Sequence, residues 1–208
     1  MQQVGARDAA TLSAVIALGA NLPSSAGLPE ATLRRAALRI AARVGPVVAA
    51  SHAYATPCFP PGAGPDFVNG VVVCATTLPP EAVLAELHGI EAAFGRVRSA
   101  RWAGRSLDLD LIGHGGAVLP DAAGYARWRD LAPEAQAREA PAELILPHPR
   151  IADRAFVLVP LAEAMPDWIH PVTGVTARAM CAALDPAAVA AVCRLGVGGP
   201  LAIPGEGA

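Results

Sequence analysis

An α+β fold, an antiparallel sheet with helices packed on it, is what this 208-residue chain predicts. Three observations carry the expectation. Apolar runs of strand length recur and end in Gly, Pro or Asn. Two longer stretches space their apolar residues with the period of a half-buried helix. The two kinds alternate as strand, helix, two strands, helix, strand, helix, which is the order of a ferredoxin-like sandwich, with extra small helices towards the C-terminus.

Residues 1–12 read as a disordered tail, 13–195 as a single domain and 196–208, rich in Gly and Pro, as a second disordered tail. Ala14-Val-Ile-Ala-Leu-Gly19 is a continuous apolar run closed by turn-prone residues, hence a central strand. Pro29 opens a helix with Leu33, Ala36, Ala37, Ile40, Ala41 and Val44 on one face and Arg34, Arg35, Arg39 and Arg43 on the other; Gly45-Pro46 stops it. Val47–Tyr54 and Phe67–Thr77 are the next strands. Between them, Ala55–Asp66 carries four prolines and two glycines, so no regular element survives there. Such a stiff loop is either a ligand wall or a plain hairpin connection. Pro79-Pro80 opens a second helix, with a core face of Val83, Leu84, Leu87, Ile90 and Phe94. On it His88 and Glu91, three apart, read by themselves as a surface pair. A strand is expected over 106–113, and 114–143 is an alanine-rich excursion, carrying Tyr125, Trp128, Arg129 and one short helix, that does no more than connect. The chain re-enters the core at 144–150. An apolar helix over Ala155–Ala164, a short strand and turn at 168–174, and small helices at 176–184 and 186–192 complete it.

Bulk composition excludes several functions. All sixteen basic residues are Arg, so neither a Walker A phosphate loop nor a Schiff base, both of which need Lys, is available. A net charge of −2 argues against a broad nucleic-acid surface. The cysteines at 58, 74, 181 and 193 have no zinc-site spacing and read as reduced, mostly buried thiols. No apolar run reaches the ~20 residues of a membrane span, and a cytoplasmic monomer is expected.

Charge is concentrated in one place. Gly95–Leu111 holds Arg96, Arg98, Arg101 and Arg105 among glycines and Trp102, the composition of a mobile cationic loop. In the strand that follows, Leu107, Leu109 and Leu111 alternate with Asp108 and Asp110, which places both carboxylates on one face. Their Cα atoms would lie roughly 7 Å apart, close enough for the tips to converge on cations. Two hard cations ~3.5–4 Å apart would fit, and would keep both carboxylates ionised. Arginines forking onto phosphate oxygens beside such ions outline a polyphosphate site. The plainer reading of Asp-x-Asp is a solvated edge strand.

Together these residues resemble one family. Ala17-Leu-Gly-Ala-Asn-Leu22, Tyr54-Ala-Thr-Pro57, Asp66-Phe-Val-Asn69, Ile90-Glu91, Gly95-Arg-Val-Arg98, Arg101-Trp102, Gly104-Arg-Ser-Leu-Asp-Leu-Asp-Leu111, Pro147-His-Pro-Arg150 and Arg154-Ala-Phe-Val157 are similar, in order, to the signature of the 6-hydroxymethyl-7,8-dihydropterin pyrophosphokinases of folate synthesis. The resemblance implies transfer of the β,γ-diphosphate of ATP to the pterin hydroxymethyl oxygen, with two Mg²⁺ ions. By the same resemblance Asp108 and Asp110 are metal ligands, and Arg96 and Arg105 close over the triphosphate as the catalytic cations. It further implies nucleotide contacts from His88, Glu91, Arg98, Arg101, Trp102, Leu111, His148 and Arg154. For the pterin it implies a wall of Thr56, Pro57 and Phe59, stacking by Phe67 and Phe156, an amide-reading Asn69, and contacts from Trp102 and Asp108. Three positions depart from the family pattern: His88 where Gln is common, Pro149 where an aromatic often follows the histidine, and Phe67 where Tyr is frequent.

Two other classes have distinct requirements. An RNA-reading sandwich needs exposed aromatics on its central strands, which here are rich in Val and Ala. A two-metal nucleotidyltransferase or nuclease shares the paired aspartates but has no use for a wall at Thr56–Asn69.

Overall fold

The computed structural model describes residues 10–58, 62, 64–95, 105–132, 135, 139, 141–196 and 198–202. The elements in order are β1 (Leu12–Ala20), α1 (Pro29–Arg43), β2 (Val47–Ala50), β3 (Tyr54–Thr56), β4 (Phe67–Thr76), α2 (Pro80–Ala93), β5 (Asp108–His114), α3 (Ala122–Arg129), a 3-10 turn at Ile151–Asp153, α4 (Ala155–Ala164), α5 (Ala177–Ala182), α6 (Pro186–Ala190) and β6 (Cys193–Arg194). The sheet runs β5-β1-β4-β3-β6, with β2 also paired to β4 and every pairing antiparallel. The expected α+β sandwich is what forms.

β1 and β4 lie at the centre because their apolar runs leave neither face fit for water. Ala14, Ile16 and Leu18 of β1 pack with α1 and α2, through Leu33, Ile40 and Leu87 among others. Val15 and Ala17, one residue out of phase, face the opposite layer with Val157, Leu158 and Leu161 of α4 and Trp168. β5 follows the same logic: Leu107, Leu109 and Leu111 join the α1/α2 layer. Ile112, in phase with the aspartates, enters the α4 layer, and the register shift between Val15 and Ile16, which pair with Gly113 and Leu111, brings Gly113 to that same side against Trp168. β5 therefore feeds both layers while its two aspartates stay on the α4 face.

Several sequence expectations need correction. The strand expected over Val47–Tyr54 is two strands, because Ser51 interrupts the ladder: its Oγ accepts from Val71 N at 3.0 Å and bonds His52 O at 2.7 Å. The tail expected from Gly196 is packed over 198–202. Leu201 is 3% exposed and donates its N–H to Ser51 O at 2.8 Å, and Arg34 holds the Pro200 and Gly199 carbonyls at 2.9 and 3.0 Å. Gly70 makes the slot, since a Cβ there would sit 2.3 Å from Leu201 Cδ1. Leu12, placed in the first tail, opens β1, and β6 adds a two-residue edge to β3. Of the thiols expected to be mostly buried, Cys58 and Cys74 are, whereas Cys181 is half-buried and Cys193 exposed. The stretch at 168–174 forms one bridge, Ile169 to Thr176, around a turn.

The excursion at 114–143 is tied to the domain. Leu119 and Leu146 exchange backbone bonds at 2.8 and 3.2 Å, Asp121 caps α3 by accepting from Gly124 N, and buried Tyr125 meets His170 Nε2 through its hydroxyl at 3.2 Å. His170 Nδ1 accepts from Val172 N and Thr173 N, so Nε2 carries the proton towards Tyr125; burial holds the ring's pKa below its ordinary value. Among the described residues, no helix is long and apolar enough to cross a membrane.

Candidate active site

β5 fixes the carboxylate pair. Between Asp108 and Asp110, Leu109 turns inward and donates its N–H at 2.7 Å to Oε1 of Glu91, which is 2% exposed on α2. Glu91 is thus a buried strut rather than half of a surface pair, while His88, one turn earlier, is exposed. The struts beneath leave the aspartates facing the α4 layer, each with an arginine. Arg105 pairs with Asp108, and Arg154 Nη1 lies 3.4 Å from Asp110 Oδ2. Burial lowers the Arg154 pKa from its ordinary value, and the Asp110 carboxylate opposes that shift.

Two further anchors hold this cationic rim. Asn21, 7% exposed, accepts the Arg105 N–H on its Oδ1 at 2.7 Å and donates its own N–H to the Arg105 carbonyl at 2.9 Å. Its Nδ2 reaches Pro65 O at 3.2 Å, so one side chain clasps the ends of both loops. His148 donates its backbone N–H to Ile112 O at 2.8 Å, and its Nδ1 accepts from Arg150 N at 3.1 Å. Burial first, and Arg154 second, push the His148 pKa down to about 3, so the ring is neutral.

The polar wall lies on the same face of the sheet. Asn69 on β4 and Thr56 on β3 are 6% and 8% exposed, and Asn69 Nδ2 donates to Thr56 Oγ1 at 2.6 Å. Strand register joins this wall to the carboxylates: Asp108 pairs with Gly19, Gly19 with Asn69, and Asn69 with Tyr54. Directly paired residues share a face, so Asp108 and Asn69 stand about 10 Å apart across two strand spacings. Gly19 has to be glycine, because a Cβ would lie 2.9 Å from Asn69 Oδ1. Phe67, paired with Thr56, is half-buried beside them, and Pro57 is exposed. Phe156 is 39% exposed at the start of α4, with the Arg154 guanidinium 5.7 Å from its ring centre. The Pro-rich loop is closed by Cys58, whose Sγ donates to Gly64 O and whose N–H reaches Asp66 Oδ1. Arg96, Arg98, Arg101, Trp102 and Phe59 lie outside the described residues.

On the other side of Asp110, beyond the β5 edge, a cavity of about 500 Å³ is lined by Leu84, Asp110, Leu111, Ile145, His148, Arg150 and Arg154, and also by Trp128, Glu139, Glu143 and Leu144. The excursion expected only to connect strands therefore supplies part of the wall. The charge pattern singled out the aspartates and arginines, but it held no sign of Asn21, Gly19 or Trp128, whose importance lies in register and tertiary contact.

Among the described residues no three His, Cys, Asp or Glu side chains gather as a metal cluster. Two hard carboxylates on one face still fit Mg²⁺, which binds through one or two carboxylates and takes its other oxygens from phosphate and water.

The chain is similar to known proteins of one family. A family model described as 7,8-dihydro-6-hydroxymethylpterin-pyrophosphokinase matches residues 15–166. Two proteins named 2-amino-4-hydroxy-6-hydroxymethyldihydropteridine pyrophosphokinase are similar to the chain. That of Methylorubrum extorquens is 36% identical over 85% of this chain and 96% of its own length. That of Synechocystis is 38% identical over 60% of this chain and 54% of its own length. The wild-type Plasmodium falciparum HPPK-DHPS crystal structure shares the fold, with a TM-score of 0.58 at 16% identity, and the match spans 85% of this chain and 45% of that one. On the extent of the family match and the identity to full-length relatives, the chain belongs to the 7,8-dihydro-6-hydroxymethylpterin-pyrophosphokinase family.

Proposed function

We propose that the chain transfers the β,γ-diphosphate of ATP to the hydroxymethyl oxygen of 6-hydroxymethyl-7,8-dihydropterin in folate biosynthesis and releases AMP. The observation that carries this reading is the row Asp108, Gly19, Asn69, which sets a carboxylate pair and a buried amide wall on one face at the spacing of two strands. In it Asn69 and Thr56 read the amide edge of the pterin, Phe67 and Phe156 flank its ring, and Pro57 and Phe59 line the wall. A buried amide discriminates because a wrong edge leaves it unpaired.

Asp108 and Asp110 would hold two Mg²⁺ ions. Those ions, when bound, neutralise the phosphates and polarise the phosphorus under attack. The hydroxymethyl oxygen forms a bond to the β-phosphorus as the bond to the α,β-bridging oxygen breaks, the electron pair leaves with AMP, and the hydroxyl proton is released to bulk water as the new bond forms. Arg105 and Arg154, which rest on the carboxylates, are placed to fork onto phosphate oxygens, and Arg96, Arg98 and Arg101 add charge from the loop. Trp102 covers the reactants against water. Glu91 keeps β5 in place; His88, Leu111 and neutral His148 belong to the nucleotide side. No side chain among the described residues stands as a general base, so positioning and charge carry the rate. The same reading has the enzyme act as a cytoplasmic monomer on small molecules, with neither nucleic acid nor membrane as partner.

The test is to mix the protein with ATP, Mg²⁺ and the pterin and to separate the products by chromatography. AMP in step with diphosphorylated pterin, and only when pterin is present, is the expected result. ADP, or AMP without pterin, overturns the reading.

A further inference from the structure

The cavity beyond β5 has a composition that its position demands. Asp110 and Arg154 lie at one part of its wall, where a polyphosphate would run, while Leu84, Leu111, Ile145 and Trp128 supply apolar and aromatic surface. Its volume of about 500 Å³ is within the range of small-molecule sites. Arg150 lines it too, and its Nε is buried with no hydrogen-bond partner, a donor that a ligand acceptor would satisfy. The polar wall of Asn69 and Thr56 is on the other side of the carboxylates, so the flat ring to be housed in this cavity is a second one.

Trp128 is held in place with unusual care for an excursion. The bridge between Leu119 and Leu146 joins the segment before α3 to the strip that carries Ile145. The Asp121 cap fixes the first turn of α3, and Tyr125, three residues before Trp128, is buried and bonded to His170. The helix is pinned at its start and along one side, and half-buried Trp128 has the Arg127 guanidinium 5.9 Å from its ring centre, so the ring is held before a base arrives and the ordering cost of stacking is lowered.

We propose that Trp128 is the aromatic wall for the nucleotide base, so that α3 sets base affinity rather than merely connecting strands. The inference rests on the diphosphate-transfer reading only for the identity of the nucleotide. Stacking of a base on an aromatic ring predicts that Trp128→Ala weakens binding of the Mg²⁺ complex of α,β-methylene-ATP about tenfold. Calorimetry with that analogue and with inorganic tripolyphosphate as the probe without a base separates the alternatives. Trp128→Ala is expected to lose affinity for the analogue, keep it for tripolyphosphate, and leave the calorimetric pterin affinity unchanged, with Trp128→Phe restoring the analogue. Equal affinity of wild type and Trp128→Ala for the analogue overturns the proposal, as does an equal loss for tripolyphosphate, which would mean a structural role. Should Trp128→Ala not fold, Trp128→Leu decides: it keeps the bulk without the ring, and analogue binding as tight as that of Trp128→Phe sinks the idea. None of these readouts needs turnover, so an inactive wild type would count against the proposed reaction and not against the pocket.

Discussion

The two halves of the cleft are built by different means. On the Asp108 side, Asn69, Thr56 and Gly19 sit on paired strands, and their mutual positions follow from ladder register alone. On the Asp110 side, the cavity is walled by α2, by the strip through Ile145 and His148, and by α3, joined through individual tethers. A strand-built wall tolerates little, because a slip of one residue would turn Asn69 to the opposite layer. A tether-built wall can gain or lose a segment without disturbing the carboxylates between the halves. The first half suits recognition by edge, the second recognition by enclosure.

The seam is the most sensitive place. Asp110→Asn keeps the shape and removes a charge, and turnover followed by AMP release should fall about a thousandfold, the scale of a lost metal bridge. Near-wild-type rates would end the description of the pair as the seam. Glu91→Ala strands the buried Leu109 N–H and should cost about 2–3 kcal/mol in urea unfolding. Glu91→Gln, which keeps an acceptor, should cost less; if the two variants match, the strut contributes nothing through its bond. Asn69→Ala should raise the pterin KM about tenfold and leave that for ATP alone, the mirror of the Trp128 variant. A rise in both constants would mean that the halves are not separable.

A further effect is one of pH. Burial lowers the pKa of both His148 and His170 in the fold, the first to about 3 and the second below its ordinary value. The unfolded chain therefore binds more protons below about pH 6.5. Stability should be complete above that pH and decline as pH falls below it, by at most about 1.4 kcal/mol per unit for His148, whose contribution continues towards pH 3, with His170 adding to the slope in the same direction. Urea midpoints between pH 7.5 and 5 measure it, and His148→Gln should make the slope shallower. A midpoint that rose with acid would show that the rings are charged in the fold.

Much of this arrangement is visible in the chain before it folds, where a feature is periodic or chemical. The alternation of Leu107 to Leu111 with two aspartates determines a face, and the continuous apolar runs of β1 and β4 determine a strand buried on both sides. What is not visible depends on partners distant in sequence. Glu91 looks like a solvated neighbour of His88 until Leu109 is placed against it. Leu201 lies in a Gly/Pro-rich stretch whose composition suggests disorder, yet its side chain fits over Gly70 while Ser51 and Arg34 bond the backbone around it. Trp128 is one aromatic in an alanine-rich excursion, and its placement depends on the bridge from Leu119 to Leu146.

Asn21 touches neither half's recognition surface directly, yet it bonds the backbone of Arg105 and the carbonyl of Pro65. If binding displaces the mouth of one loop, this single side chain is the direct tie through which the other loop would feel it. In thermodynamic terms the two substrates are linked ligands: whatever factor the nucleotide contributes to pterin affinity by drawing on Arg105, the pterin must return to the nucleotide in equal measure. Order of addition would then be a matter of concentration and kinetics, with no preference inscribed in the equilibrium of the complex.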